Sequence, residues 1–178
     1  KKSLKKTKFK ILEIKNLKLN KIIKINIKNK KNLGSDRIAN AIGAKKFKHC
    51  LVLDFGTATT FDIIKNGIYE GGVIAPGINL SIKNLSQATA LLPLINLRSH
   101  QKNYGKNTIE ALNAGFVWGY EGLINNIIDK IISKSKIKYK ILITGGYANF
   151  FKKMIKKKAV IDQDITIKGI ANAYKELV

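Results

Sequence analysis

The chain has 178 residues, 45% of them hydrophobic, and a formal net charge of +23. This length is enough for one domain or for two small lobes that share a core. The longest uncharged stretch, residues 84–97, is too short and too polar to span a bilayer, and no signal-peptide pattern is visible. We therefore expect no membrane association, and the single cysteine, Cys50, fits a reducing cytoplasm.

The positive charge comes almost entirely from lysine, because Arg37 and Arg98 are the only arginines among 34 basic residues. Proteins that read DNA bases and phosphates usually use the bidentate fork of arginine, which lysine lacks. The lysines are also spread among Ile and Asn along the whole chain. We therefore expect no specific nucleic-acid partner, and a lysine-driven nucleic-acid binder stays only as the weakest alternative.

The first half of the chain predicts strands around one short helix. Alternating apolar and basic residues predict half-buried strands at 8–14 and 21–27, and residues 38–44 predict a helix with an acidic or hydroxyl cap. Further strands are predicted at 49–54, 60–64 and 68–74, the last two joined by the hairpin signal Asn66-Gly67.

The second half predicts a helix at about 79–92 and then the longest helix, which starts at the capping box of Asn107 and Glu110. Glycines inside this helix indicate the close approach of another helix or a ligand, and Trp118 lies off its apolar stripe, where it is placed to face a partner subunit. The predicted core-facing stripe is Ile109, Leu112, Phe116, Tyr120, Leu123, Ile127 and Ile131. A strand at 140–144, a helix at 148–157, an extended segment at 165–167 and a helix at 168–177 complete an α/β pattern.

Several short segments could bind a phosphate or a substrate, although each also has a purely structural interpretation. The turn at 54–60, DFGTATT, offers amides and hydroxyls to a phosphate and Asp54 to a cation, or it is simply a tight hairpin. Asp36 could accept a hydroxyl proton beside Arg37, which could pair with an anionic substrate, or Asp36 only caps a helix. Gly145-Gly146 could contact a nucleotide, and Thr108 a ligand oxygen, or both only shape the ends of elements.

Taken in this order, these motifs resemble the type III pantothenate kinases. The matching strings are GSDR at 34–37, DFGTATT at 54–60, YEGGVIAPG at 69–77, TALLPLINL at 89–97, GKNT at 105–108 and ITGG at 143–146. The resemblance implies an α/β actin-like ATPase (ribonuclease H-like) fold, with residues 1–48 as the end of a first lobe that carries the substrate loop and 49–178 as the complete second lobe. It also implies a cytoplasmic homodimer that phosphorylates pantothenate in coenzyme A synthesis, using ATP, Mg²⁺ and a monovalent cation, K⁺ or NH₄⁺.

The resemblance also implies roles for individual residues. Asp36 matches the catalytic base, and Asp54 matches the ligand of the monovalent cation. The implied substrate-binding residues are Gly34, Ser35, Arg37 and Thr108, and the implied ATP-binding residues are Thr57, Gly145 and Gly146.

Two features depart from the family pattern. The phosphate-binding motif Asp-x-Gly-Asn-Thr does not occur before Gly34, which predicts a chain that lacks the family's N-terminal part and leaves its activity on its own open. Ile27 stands where the family tends to place a pocket tyrosine. The main alternative is therefore a truncated or degenerate relative that acts as a regulatory or binding protein.

Overall fold

The computed structural model describes residues 12–98 and 103–177, except for the side chain of Leu177. Five strands form one mixed sheet in the order β3-β2-β1-β4-β5, where β1 pairs antiparallel with β2 and parallel with β4. The strands are β1 (His49–Phe55), β2 (Ala58–Lys65), β3 (Ile68–Pro76), β4 (Lys140–Gly145) and β5 (Ala159–Ile161). Asn66 and Gly67 both have positive φ, 52° and 71°, as a two-residue turn between twisted strands requires. The predicted three-strand unit is confirmed.

Five α-helices accompany the sheet in the described ranges, and none of them is long and apolar enough to cross a membrane. The longest begins as predicted, because the side chain of Asn107 accepts a hydrogen bond from the Glu110 amide at 3.0 Å. The helices are α1 (Ser35–Gly43), α2 (Ile78–Gln87), α3 (Thr108–Ser135), α4 (Ala148–Phe151) and α5 (Ile165–Leu177).

The strand predictions before α1 are wrong where the structure describes them. Residues 8–11 of the first lie outside the described residues, and the chain then makes a 3-10 turn at Ile14–Asn16. Of residues 21–27, only Ile25 forms an isolated parallel bridge, to Tyr69. Burial does not alternate there, because the adjacent residues Ile22 and Ile23 are both buried together with Ile25, and a 3-10 turn at Leu19–Lys21 directly precedes them.

Three predictions after the first strands also need correction. The helix at 79–92 ends at Gln87, and the helix at 148–157 is α4 followed by a 3-10 turn at Lys152–Met154. Residues 165–167 are the first turn of α5, not an extended segment. Their β-branched composition favours a strand, but Ile165 is fully buried against α1, and this tertiary contact overrides local propensity.

The sheet separates two hydrophobic clusters. On one face, α1 and α5 cover Cys50, Val52 and Leu142, while on the other α2, α3 and α4 cover Leu51 and Leu53. This division follows from the pleat, which sends alternate residues of a strand to opposite faces. The segment before α1 joins the first cluster through Ile14, Ile22, Ile23, Ile25 and Leu33.

Helices α1 and α5 pack with their backbones in contact. A Cβ atom at Gly43 would collide with the carbonyl oxygen of Ile165, and one at Gly169 with that of Ala39. Each helix therefore carries a glycine where the other approaches, and α5 lies directly against the helix that contains Asp36.

Helix α3 has two apolar faces, and the predicted stripe is mostly the less buried one. Tyr120 is buried as predicted, but Phe116 is only half-buried and Ile109 is 53% exposed. Besides Tyr120, the buried residues of α3 are Asn113, Ala114, Val117, Ile124, Asn125 and Ile128. A Cβ atom at Gly115, Gly119 or Gly122 would meet no atom within 4 Å, so nothing described in the chain approaches these glycines closely.

Candidate active site

Two turns lie side by side at the carboxyl ends of the parallel strands β1 and β4. Phe55 pairs with Gly145 across these strands, and the amide of Gly146 donates to the carbonyl of Phe55 at 3.1 Å. The neighbouring turn is closed by a bond from the Gly56 amide to the Ala58 carbonyl, also 3.1 Å. The structure thus brings together the two segments predicted to contact ATP, and this edge is where ligands bind in open α/β sheets.

Asp54 lies at the centre of this edge. It is half-buried on the face covered by α1, opposite Thr60 on β2 and Thr144 on β4. Asn40 of α1 donates from Nδ2 to Asp54 Oδ2 at 3.0 Å. Burial raises the pKa of Asp54, the Asn40 bond opposes this, and the negative charge of Asp36 raises it further.

Asn40 is a site residue that sequence reasoning missed. Its side chain is fully buried, and its Oδ1 accepts a hydrogen bond from Thr166 Oγ1 of α5 at 2.6 Å. The Thr166 hydroxyl therefore sets the amide so that Nδ2 points to Asp54. The available signal was its spacing, since Asn40 lies four residues after Asp36 on the same helix face.

Gly145 must be glycine for two reasons. Its φ is +87°, and a Cβ atom there would lie 2.7 Å from Asp54 Oδ1. Gly146 and Thr57 are exposed beside it, with open space around Gly146. The edge therefore presents backbone and one hydroxyl to solvent next to a carboxylate, an arrangement that admits a nucleotide.

Asp36 lies in the first turn of α1 and is exposed. The predicted acidic or hydroxyl cap is wrong, because the N-cap is Gly34, in extended conformation, and no side chain makes a capping bond. The Asp36 carboxylate instead folds back over Gly34, where a Cβ atom would collide with it, and Ser35 beside it is half-buried. Its charge raises the pKa of both Asp54 and Asp62, and it lies one helical turn before Asn40, whose side chain reaches Asp54.

Arg37 is paired inside the chain, with a carboxylate that sequence reasoning missed. Its Nε donates to Asp62 Oδ1 at 2.7 Å, and the Tyr69 hydroxyl donates to the same oxygen at 2.9 Å. Asp62 is fully buried, and burial raises its pKa to about 6 despite the charge and hydrogen bond of Arg37. A signal existed, because an acid inside a strand that is otherwise apolar needs a partner.

Thr108 lies apart from the other predicted substrate residues. It starts α3, which covers the opposite face of the sheet from α1, so the chain itself does not bring it to Asp36. Thr108 borders an apolar groove of about 520 Å³ between α2 and α3. The groove is lined mainly by Pro76, Leu85, Leu92, Leu112, Phe116 and Leu123.

The donor set around Asp54 fits a monovalent cation. No group of three His, Cys, Asp or Glu side chains in the described ranges could hold a metal. The bond from Asn40 goes to Oδ2 of Asp54 and leaves Oδ1 for a ligand. The hydroxyl of Thr60, directly opposite Asp54 on β2, is buried without a hydrogen-bond partner in the part of the chain that the structure describes. One carboxylate with neutral oxygens suits a singly charged ion, whereas Mg²⁺ is usually held through substrate phosphates and few carboxylates.

Comparison with known sequences gives one consistent family. A family model described as type III pantothenate kinase matches residues 1–130. The chain is 50% identical over 167 residues to the type III pantothenate kinase of Pelagibacter ubique, covering 93% of this chain and 67% of that protein. It is 42% identical over 149 residues to the enzyme of the same name from Acidiphilium cryptum, covering 82% and 56%. The chain thus spans little more than half to two thirds of these relatives.

Solved structures agree on the fold. A Campylobacter jejuni protein, described as a conserved member of the Baf family of transcriptional activators, superposes with a TM-score of 0.64 at 27% identity, over 88% of this chain and 70% of that one. The Alp12 filament protein superposes with a TM-score of 0.53 at 14% identity, over 78% and 51%, a likeness of fold alone. The predicted α/β actin-like ATPase fold is confirmed.

Proposed function

Because this chain belongs to the type III pantothenate kinase family, we propose that the protein phosphorylates pantothenate with ATP, giving 4′-phosphopantothenate and ADP. One structural observation connects this proposal with the candidate active site. Half-buried Asp54 lies at the edge where the two glycine turns meet, and it is bonded to Asn40, one helical turn after exposed Asp36 on α1. Phosphoryl transfer needs positioning and charge compensation more than covalent chemistry, and this edge offers both.

Asp36 is the proposed general base. Its carboxylate is exposed and makes no capping bond, so its oxygens remain available to a substrate hydroxyl. The primary alcohol of pantothenate gives its proton to Asp36 as its oxygen attacks the γ-phosphorus, and ADP leaves with the bridging oxygen.

The nucleotide is proposed to bind along the turns that contain Thr57 and Gly145-Gly146. Thr57 and Gly146 are exposed there, and the space around Gly146 is open. Asp54 Oδ1 and the Thr60 hydroxyl would hold K⁺ or NH₄⁺. Mg²⁺ would compensate charge on the ATP phosphates during transfer. Asn40 keeps the Asp54 carboxylate oriented through its bond to Oδ2.

We further propose that the active form is a homodimer and that the substrate site is shared. Thr108 borders an apolar groove away from Asp36, so a second copy is needed to bring the two together. The half-buried stripe of α3 and its open glycine row leave a surface that another helix can cover. A two-fold dimer is the commonest closed assembly.

The test is pantothenate-dependent release of ADP by the wild-type protein and by Asp36→Asn. We expect Asp36→Asn to bind ATP normally and to turn over about 10²–10⁴-fold more slowly, the usual contribution of a general base. The matched control is Asp129→Asn, which removes an exposed carboxylate of α3 that forms a surface ion pair with Lys157, at 3.5 Å.

Two results would contradict the proposal at different points. Turnover by Asp36→Asn within a few-fold of wild type would remove Asp36 from the role of base. A wild-type protein that releases no ADP in response to pantothenate would favour the regulatory or binding alternative.

A further inference from the structure

The buried carboxylate behind Arg37 has no part in the proposed transfer itself, yet it organises the substrate loop. We propose that Asp62 and Tyr69 are positioning residues that hold the guanidinium of Arg37 for the carboxylate of the substrate. This inference rests on the proposed function, because pantothenate supplies that carboxylate.

The contacts leave the Arg37 side chain little freedom. Asp62 Oδ1 accepts two hydrogen bonds, from Arg37 Nε at 2.7 Å and from the Tyr69 hydroxyl at 2.9 Å. The guanidinium carbon also lies 5.9 Å from the centre of the Tyr69 ring. Arg37 is thus held by a charge-assisted hydrogen bond and by an aromatic side chain, both from the neighbouring sheet.

Gly72 lies beside the same guanidinium, and together with Asp62 and Tyr69 it forms what we call the Arg37 frame. It pairs with Asp62 across β2 and β3, and a Cβ atom there would collide with Arg37 Nη2 and with the carbonyl of Phe61. The inner edge of the guanidinium therefore lies directly over the backbone of β3. The Arg37 side chain keeps 13% exposure while Asp62 has none, so the exposed edge is the one that an anionic ligand can reach.

Stability alone does not account for this pair. A buried ion pair often returns less than the desolvation of its two charges costs, and replacing it with apolar residues is frequently neutral or stabilising. Here Asp62 Oδ2 and Arg37 Nη2 are also buried without a hydrogen-bond partner among the described residues. This pair therefore costs folding free energy. That cost is explained if the pair fixes the side chain of Arg37, which lies next to the proposed base, Asp36.

The experiment combines pantothenate and ATP titrations by calorimetry with the ¹H–¹⁵N signal of Arg37 Nε, in wild type, Asp62→Asn, Tyr69→Phe and the control Asp129→Asn. In Asp62→Asn we expect the Nε signal to lose its hydrogen-bonded shift and pantothenate affinity to fall roughly ten- to a hundredfold, the worth of one charged hydrogen bond. ATP affinity should stay within about twofold, since the nucleotide turns do not touch Asp62. In an Arg37→Lys background, Asp62→Asn should weaken binding little further, because Asp62 acts through Arg37.

The proposal would be overturned if Asp62→Asn bound pantothenate as wild type does, or if it weakened ATP and pantothenate equally. If Asp62→Asn does not fold, Tyr69→Phe decides, because it removes only one hydroxyl; unchanged pantothenate binding and an unchanged Nε signal in that variant would count against the proposal. If the wild-type protein does not bind pantothenate, both the proposed function and the substrate role of the Arg37 frame are refuted. The Nε signal would then still show whether Asp62 holds Arg37.

Discussion

Replacing the three glycines of α3 with alanine would test the proposed dimer surface. Among the described residues of one chain, a Cβ atom at Gly115, Gly119 or Gly122 meets nothing within 4 Å, so alanine is accommodated without strain. Each change should stabilise the monomer by about 0.8–1 kcal/mol through helix propensity. The triple variant should therefore gain about 2–3 kcal/mol, which corresponds to a rise in Tm of roughly 5–10 °C at this chain length.

The same three methyl groups should weaken a dimer that packs on this face. Overpacking of a close contact typically costs about 1–3 kcal/mol, so we expect the dimer dissociation constant to rise at least about tenfold. Sedimentation velocity over a concentration series measures this constant. Thermal unfolding must be followed at a concentration where both proteins are monomeric, because dimerisation itself raises Tm.

If the proposed surface is correct, the triple variant has a more stable monomer and a weaker dimer than wild type. Gly169→Ala is the control for a glycine with a known neighbour: its Cβ would collide with the Ala39 carbonyl, so it should lower stability in the monomer. A triple variant that dimerises as tightly as wild type would place the contact elsewhere. A wild-type protein that is monomeric at all concentrations would refute the shared substrate site.

Three further predictions concern charge. Potassium or ammonium should activate the enzyme and sodium should do so poorly, and Asp54→Ala should abolish this dependence in steady-state assays; a rate indifferent to the ion would refute the cation site. Because burial raises the pKa of Asp62 from 3.8 to about 6, its ionisation should destabilise the fold as pH rises through this window. Urea unfolding should show that Asp62→Asn lacks this loss, which is about 2 kcal/mol between pH 4 and neutrality, whereas equal pH profiles would contradict it. Any DNA binding should be independent of sequence and should weaken by orders of magnitude between about 50 mM and about 200 mM salt; a preferred target sequence at physiological salt would overturn this expectation.

Local signals predicted much of the fold. The turn at Asn66-Gly67 and the capping box at Asn107 each depend on a few neighbouring residues, and both formed as expected. The failures at residues 21–27 and 165–167 occurred where composition suggested strands but long-range packing decided the backbone. No local pattern reveals that Ile165 will be buried against α1.

The site was predicted in the same uneven way. Asp36, Asp54 and Gly145 were proposed from short motifs; the structure places Asp54 next to Gly145, and Asp36 one helical turn before Asn40, which bonds Asp54. Asp62 and Asn40 were missed because what gives them a role is contact with residues 25 and 14 positions away. Which of several polar residues pair across a fold depends on strand register and helix packing, and a motif does not contain either.

The contact between α1 and α5 bears on how the protein is made. The bond from Thr166 to Asn40 joins residues 126 positions apart, and Asn40 in turn orients Asp54. Contacts of such long sequence separation form late, because the loop they close must first lose its conformational freedom. On the ribosome, α1 and β1 emerge many seconds before α5 is synthesised. Until then Asp54 lacks the contact that orients Asn40, and the apolar side of α1 is uncovered, a period in which chaperone binding would be most useful.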